Sequence, residues 1–415
     1  MNNLNKCQPV PLTRSLGQPA QGKDRFFPRP FIMRKICHEI DNGENLLISA
    51  PRRIGKSSLL KAIQEQKCTQ ANTIYLYMII QSVDSSELFF NKLFKALISD
   101  ENICTGLTGY IKRASHSLKD FISRLRGISL EGGIQMDAKN SIDYYHECYE
   151  LLTYLENKRV VVIVDEFPDA LARIDLQDRN QAIYFLQQHR DLRQQFNSKL
   201  QFVYTGSTGL RNVVKKIGTN NLINDLAQIE IPPFSTDESC CLIKSLVLGY
   251  QRTNPNFDLT ETQIDYILRK ITWYLPFYLQ TIIHALYNRF DDTQQNILPK
   301  DIDNILMAMT KAKSPYAAYF ENWQSRLEKT FNKEEYQLAI TLLTHLAQQQ
   351  TADKATLDQL SSDQPLSKEE RRFVLQTLEY DGYISQSDSD SAQAQQQYQF
   401  NSELLKQWWI ENVID

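Results

Sequence analysis

The sequence has no apolar stretch long enough to span a membrane. Its longest apolar runs, "TIYLYMII" and "VVVIV", fall far short of the ~18 residues a spanning helix needs. The N-terminal stretch "MNNLNKCQPVPLTRSLGQPAQG" is polar, rich in proline and glutamine, and carries no apolar h-region of a secretory signal. A mobile tail is expected over residues 1–24. Seven cysteines (Cys7, Cys37, Cys68, Cys104, Cys148, Cys240 and Cys241) include no CxxC pair. An odd, scattered set favours buried thiols in a reducing cytoplasm over disulfides or a metal site. The six histidines are dispersed, with no His-x3-His or His/Cys cluster. The net charge of −3 gives no overall pull toward nucleic acid or a membrane surface.

What remains is an ordinary globular composition, 42% hydrophobic and 23% charged, on 415 residues. That length implies two or three domains. Over roughly residues 25–235 strand-like and helix-like segments alternate, which predicts a three-layer α/β/α core around a parallel sheet. A run such as "VVVIV" is what a sheet buried on both faces requires. Residues from about 102 to 140 are less regular and read as an insertion, with a small hairpin around Gly132-Gly133. Asp84, Ser85 and Ser86 are placed to cap the helix "SELFFNKLFKALISDE", whose apolar positions read as a core face. Residues 236–330 read as a purely helical lid. Residues 331–415 read as helix–helix–helix followed by a β-wing, with "SDSDSAQAQQQ" as the wing's tip loop and Trp408-Trp409 packing the last helix.

The chemistry starts at "LLISAPRRIGKSSLL". Ala50-Pro51-Arg52-Arg53-Ile54-Gly55-Lys56-Ser57 matches G-x-x-x-x-G-K-[ST] except at the first position, where alanine replaces glycine. Alanine serves there if it keeps a negative φ at the strand exit. Gly55 lets backbone N–H groups turn inward around a β-phosphate. Lys56 reaches the β- and γ-phosphates, and the Ser57 hydroxyl ligates Mg2+. The helix that follows, through Ser58, points its positive end at the anion. The strand Val160–Val164 then runs into Asp165-Glu166. Asp165 is the candidate Mg2+ partner and Glu166 the candidate base for an attacking water. This ordering suggests that "LQFVYTGS" lies between the loop strand and the Asp-Glu strand, with Thr205 and Ser207 at its end near the γ-phosphate. Phosphate chemistry does not require the arginine pair. Arg52 and Arg53 could contact the γ-phosphate, hold the lid closed, or stand as solvated loop charges. Arg190, Arg193 and Arg211 lie where an arginine finger acting in trans could sit, and each reads equally as a surface charge.

The segments "APRRIGKSSLL", "VVVIVDEFPDAL", "FVYTGSTGL" and "ITWYLPFYLQTI", with the ending "DGYI…YQFNSELLKQWW", resemble the archaeal-type branch of the AAA+/STAND P-loop ATPases over about residues 25–413. The resemblance implies an ASCE nucleotide-binding core, a helical lid and a C-terminal winged helix, with ATP and Mg2+ as ligands. It implies that Pro276 in "WYLPFYLQ" is the lid proline at the adenine and that Ser207 fills the sensor-1 role. The family's upstream hydrophobic–Gly–Arg–Glu motif is Phe27-Pro28-Arg29-Pro30 here, keeping only Arg29 for contact with the base.

A winged helix raises the question of DNA. Residues 331–415 hold six basic and fourteen acidic residues, net −8, leaving +5 for residues 1–330. An acidic wing repels phosphates, so nucleic acid is disfavoured there. Any such contact is better placed near Arg211, Lys215 and Lys216. The expected function is a cytoplasmic, Mg2+-dependent ATP hydrolase acting as a nucleotide-driven switch. It would signal to a protein partner, or self-associate through lid or winged helix, and the family would suit a role in prokaryotic defence or stress response. Two alternatives stand beside it: a DNA-binding ATPase of origin or transposition type, and a nucleotide-binding scaffold with little hydrolysis.

Overall fold

The computed structural model describes residues 8–66, 72–104, 110, 119, 142–155, 158–206, 209–362, 364–387 and 397–414. The expected hairpin around Gly132-Gly133, most of the 102–140 insertion, and the wing tip lie outside them. The chain separates into two compact units. A sheet unit comprises Pro28–Ser49 and Leu59–Ile231. A helical unit comprises Met1–Phe27, Ala50–Ser58 and Pro232–Asp415. The expected lid and C-terminal regions therefore fall in one unit, and the phosphate loop is grouped with them.

In the sheet unit, five strands pair in parallel: β1 (Leu46–Ser49), β2 (Thr73–Ile79), β3 (Arg159–Asp165), β4 (Leu200–Thr205) and β5 (Ala227–Glu230). Their order is β2-β3-β4-β1-β5. As the sequence suggests, β4 separates the strand that leads to the loop from the strand that ends in Asp165. Val160–Val164 are all fully buried. Successive strand residues point to opposite faces, so both faces of the sheet are covered. The helices of this unit are α1 (Pro30–Asp41), α2 (Lys56–Gln66, whose first turn is shared with the loop), α3 (Ser86–Ser99), α4 (Glu101–Cys104), α5 (Tyr144–Thr153), α6 (Phe167–Gln177), α7 (Arg179–Gln195) and α8 (Leu210–Ile217). Ser85 caps α3 by accepting from Leu88 N–H at 3.3 Å, an interaction typically worth about 1 kcal/mol. Phe89, Phe90, Leu93, Phe94 and Leu97 bury the inner face of α3, so its apolar stripe is core.

At the centre of this core His189 is fully buried among Phe89, Phe167, Phe185, Phe202 and Tyr204. Its Nδ1 lies 2.8 Å from the Tyr204 hydroxyl, and its Nε2 is buried without a hydrogen-bond partner. Burial, reinforced by the neighbouring Arg193, pushes its pKa well below the ordinary histidine value. Arg193 makes a two-pronged ion pair with Asp225, at 2.7 and 2.9 Å, and also donates to Tyr204 and to the Leu222 carbonyl.

The helical unit begins with an N-terminal arm. Leu12 is buried, and its N–H donates to the Ser245 carbonyl at 2.9 Å. Val10 N–H donates to Ser245 Oγ, and Ser15 N–H to Gln280 Oε1. A Cβ added to Gly249 would lie 1.9 Å from the Leu12 carbonyl oxygen, so glycine is what lets the arm lie against this helix. Backbone donors and one buried leucine hold the arm, and neither leaves a hydrophobic pattern. Five helices follow: α9 (Thr236–Gln251), α10 (Glu261–Ile271), α11 (Pro276–Thr293), α12 (Pro299–Thr310) and α13 (Ala317–Thr330). The last segment runs α14 (Lys333–Gln349), β6 (Thr351–Asp353), α15 (Lys354–Ser362), α16 (Lys368–Tyr380), β7 (Ile384–Ser387), β8 (Gln397–Phe400) and α17 (Glu403–Trp409). The three strands form an antiparallel sheet in the order β6-β8-β7. Reciprocal capping boxes at Ser235/Glu238, Thr260/Gln263, Asn332/Glu335 and Ser367/Glu370 fix four helix starts. Trp408 and Trp409 are buried, as packing residues.

Cys148 and Cys240 are free thiols. Cys37 and Cys241 are each disulfide-bonded, which departs from the reduced set expected from spacing alone. No described helix is long and apolar enough to cross a membrane.

Candidate phosphate-binding site

β1 fixes the start of the loop, because Leu46, Leu47 and Ile48 are buried in the sheet. α2 begins at Lys56. Between them, positive φ falls on Arg53 (64°) and Gly55 (89°) and not on Ala50. Alanine is therefore tolerated where the motif has its first glycine. A Cβ on Gly55 would meet only Pro276 Cγ, 4.0 Å away. Gly55 is thus required by its backbone angle rather than by lack of space. Left-handed residues inside such a turn aim successive N–H groups at one point, which is how a backbone nest holds an anion. Ile54 is buried and anchors the loop, and Lys56 is buried at the first turn of α2.

Both arginines have partners on the helical unit. Arg52 Nη1 donates to Asn322 Oδ1 of α13 at 2.6 Å. The Arg53 guanidinium lies 4.1 Å from the Phe277 ring centroid and 5.2 Å from that of Tyr319. Its Nη1 is buried without a hydrogen-bond partner. Burial lowers the Arg53 pKa from its ordinary value; Tyr278 opposes this and Arg52 adds to it. Pro276, selected from the sequence as a base contact, opens α11 beside Gly55. Ser58 Oγ accepts from Ala20 N–H of the N-terminal arm at 2.8 Å.

The acidic residues belong to the sheet unit. Asp165 ends β3 and is buried. Its Oδ2 accepts from the Tyr77 hydroxyl at 2.6 Å, and its Oδ1 from Glu166 N–H at 3.1 Å. Glu166 precedes α6 in a left-handed conformation, φ 63°. A Cβ added to Gly206 would lie 2.4 Å from Pro168 Cδ and 3.6 Å from Glu166 Oε2. The end of β4 therefore runs against the start of α6 beside the Glu166 carboxylate. Thr205 Oγ1 is buried there with no hydrogen-bond partner. Ser207 lies outside the described residues. Arg29 is buried and forms the N-terminal boundary of α1.

Two of the arginines considered as trans-acting fingers are engaged within their own unit. Arg193 is buried on Asp225, and Arg190 donates to the Asn221 carbonyl at 2.7 Å. Arg211, Lys215 and Lys216 are exposed on α8, over buried Leu210, Val214 and Ile217.

The chemistry of the loop donors suits the phosphates of a nucleotide. The loop offers a nest, a helix N-terminus, a buried lysine and the Ser57 hydroxyl; in the sheet unit, Asp165 offers a buried carboxylate and Thr205 an unsatisfied hydroxyl. Magnesium is commonly held by one or two protein oxygens plus phosphates and water. Among the described residues no group of three or more His, Cys, Asp or Glu converges on a metal position.

Sequence reasoning missed Tyr77, Gly206, Asn322, Phe277 and Tyr319. Tyr77 is marked only by the register of the sheet: β2 pairs with β3 so that Ile79 meets Asp165. Residue 77 therefore shares the face of the residue that meets the acid. Asn322, Phe277 and Tyr319 had no signal, because they are distant in sequence from the loop.

No protein-family model matches the chain, and no curated protein matches it. Among solved structures, it is similar to a Walker-type ATPase of Pyrococcus abyssi, with 15% identity and a TM-score of 0.59 over 94% of this chain and 98% of that one. A lower likeness, with a TM-score of 0.48 and 11% identity, covers 93% of this chain and 93% of the ORC2 protein of Aeropyrum pernix. CDC6P from Pyrobaculum aerophilum is similar at 11% identity and a TM-score of 0.40, over 96% of this chain and 95% of that one. The first of these likenesses gives the chain the fold of an archaeal Walker-type P-loop ATPase.

Proposed function

We propose that this chain, which has the fold of a Walker-type ATPase, binds ATP with Mg2+ and hydrolyses it slowly as a switch read by a protein partner. One observation carries the reading: a loop with left-handed residues at 53 and 55 opens directly into a helix headed by Lys56 and Ser57. In the reading proposed here, the loop N–H groups and Lys56 hold the β- and γ-phosphates, and Ser57 and Asp165 hold Mg2+ directly or through its water. A bound Mg2+ would offset charge on the phosphate oxygens. Glu166 accepts the proton of the attacking water. Tyr77 keeps the Asp165 carboxylate oriented, and Thr205 offers its unsatisfied hydroxyl to the terminal phosphate. The C-terminal segment, with the element order of a winged helix, is the part a partner reads.

The test is a pair of variants. Lys56→Ala should abolish ATP binding measured by calorimetry. Glu166→Gln should retain binding and lose turnover by roughly 100-fold or more. Unchanged turnover in Glu166→Gln would remove that residue from the chemistry and favour a scaffold that scarcely hydrolyses.

The exposed Arg211, Lys215 and Lys216 on α8 support a second reading, in which this face meets nucleic acid. Salt-sensitive duplex binding that is lost when the three are replaced would favour it.

A further inference from the structure

Two adjacent arginines of the phosphate loop dock on one face of α13. Arg52 Nη1 donates to Asn322 Oδ1 at 2.6 Å, and the Arg53 guanidinium lies 5.2 Å from the ring centroid of Tyr319, one turn earlier. The nearer ring is Phe277 on α11, with its centroid 4.1 Å from the guanidinium. Phe277 and Tyr319 meet edge to face, their centroids 4.8 Å apart and their planes at 85°. One cation thus rests on two rings that already pack against each other. The helices that carry the rings are joined as well. The fully buried Tyr278 of α11 stacks on Phe320 of α13 at 5.4 Å, and its hydroxyl accepts from Trp323 Nε1 at 3.1 Å.

This seat matters because of the backbone above it. Arg53 and Gly55 both have positive φ, with the buried Ile54 between them. Glycine adopts that conformation freely, whereas a residue with a Cβ resists it. Left to its own preference, residue 53 would leave the left-handed region, so contacts of its side chain must offset the strain. The two rings supply such a contact. An anion-binding nest exists only while its N–H groups converge, and a change of φ at residue 53 turns them apart.

We infer that Phe277 and Tyr319 are positioning residues of the phosphate site: they hold Arg53 in its left-handed conformation and so set the affinity of the loop for a β-phosphate, with no contact of their own to the nucleotide. The inference rests on the nucleotide reading above and deepens it. Arg53 acts here as a peg rather than as a phosphate ligand. Its guanidinium meets the rings, and its backbone shapes the nest. That separates it from Lys56, whose own charge acts on the phosphates. The ligand class follows from the same division. Any group with two linked phosphates depends on the seat, whether or not it carries a base.

The test measures the affinity of the full-length chain for ADP by calorimetry, and for pyrophosphate by its displacement of ADP. The proteins are wild type, Phe277→Leu, Phe277→Tyr, Tyr319→Leu, Arg53→Gln and the double variant Arg53→Gln/Phe277→Leu. Phe277→Leu should weaken ADP and pyrophosphate alike by about fivefold, the size a partly buried cation–ring contact supports. Tyr319→Leu should weaken both by less, because its ring is farther from the guanidinium. Phe277→Tyr keeps a ring and should stay near wild type. Arg53→Gln should match Phe277→Leu, and the double variant should be no weaker than either. Should Phe277→Leu fail to fold, Tyr319→Leu decides on the same terms. Wild-type binding of ADP with unchanged or tighter binding in Phe277→Leu overturns the seat and leaves the nucleotide reading intact. So does a loss confined to Arg53→Gln, which would make the guanidinium a phosphate ligand. A loss for ADP with pyrophosphate unaffected, or pyrophosphate that fails to compete in wild type, overturns it too, since the effect would then lie at the base beside Pro276. Absence of ADP binding in wild type overturns both readings.

Discussion

The guanidinium of Arg53 lies 4.1 Å from the centroid of the Phe277 ring. It joins the middle of the phosphate loop to the first turn of α11. Arg53 holds this place with φ at 64° and with Nη1 buried and unpartnered, so the aromatic shelf offsets a strained backbone and an unsatisfied donor. Arg53→Gln and Phe277→Leu should each lower stability by about 1 kcal/mol. The double variant should lose less than the two combined, because both remove one interaction. Urea unfolding of the four proteins gives the cycle, and simple additivity would show that the contact carries no energy of its own.

Tyr77 should matter to catalysis although nothing in its sequence neighbourhood marks it. It donates to Asp165 Oδ2 at 2.6 Å and fixes that carboxylate. Tyr77→Phe should raise the Mg2+ concentration needed for half-maximal turnover by about tenfold, the size of effect usual for groups that orient a metal's partners. Saturating Mg2+ should restore most of the rate. A rate loss that Mg2+ does not rescue would count against this role.

His189 should make the sheet unit sensitive to mild acid. Its folded pKa is depressed by burial and by Arg193. The unfolded chain takes up a proton near 6.5, while the folded chain stays neutral. Stability is therefore fully present above about pH 6.5 and falls as pH drops through that value toward the depressed folded one, by up to ~1.4 kcal/mol per pH unit. Urea midpoints should fall between pH 7.5 and pH 5.5 in wild type. The fall should shrink in His189→Phe, whose starting stability is lower because the Tyr204 hydroxyl loses one of its two partners. An equal slope in both proteins would assign the effect to other groups.

Gly249→Ala should detach the N-terminal arm. The added Cβ would sit 1.9 Å from the Leu12 carbonyl oxygen, a contact that only movement of the arm or the helix can relieve. A cost of about 1–3 kcal/mol is expected for such overpacking. Limited proteolysis should then cut within residues 8–24 that resist cleavage in the wild type. Unchanged resistance would mean that the helix, rather than the arm, has shifted.

The core was readable because its signals are local. A five-residue apolar run ending in Asp165-Glu166, and a loop flanked by a buried strand and an amphipathic helix, define two of the strands. The alternation of elements then puts β4 between them. The partners of the loop arginines were not readable, since Arg52 and Asn322 are 270 residues apart and neither lies in a pattern. The contacts of the arm were not readable for a related reason. Its hold on α9 and α11 comes largely from backbone N–H groups, which every sequence has, and from the absence of a side chain at Gly249. Cys37 and Cys241 show the same limit, because spacing along the chain does not report which cysteines become bonded.

The phosphate loop is strung between β1 and α2, yet its packing partners Asn322, Phe277, Tyr319, Pro276 and Gly382 all come from beyond residue 270. A fragment ending at Ile231 would keep every strand of the sheet and the whole of the motif that announces the loop. It would lose what shapes that loop: the shelf for Arg53, the amide for Arg52 and the proline beside Gly55. The nucleotide motif of this chain is therefore not a portable cassette. Grafted onto another sheet, or cut free with its own, it would carry the letters of a phosphate site without the scaffolding that sets its geometry.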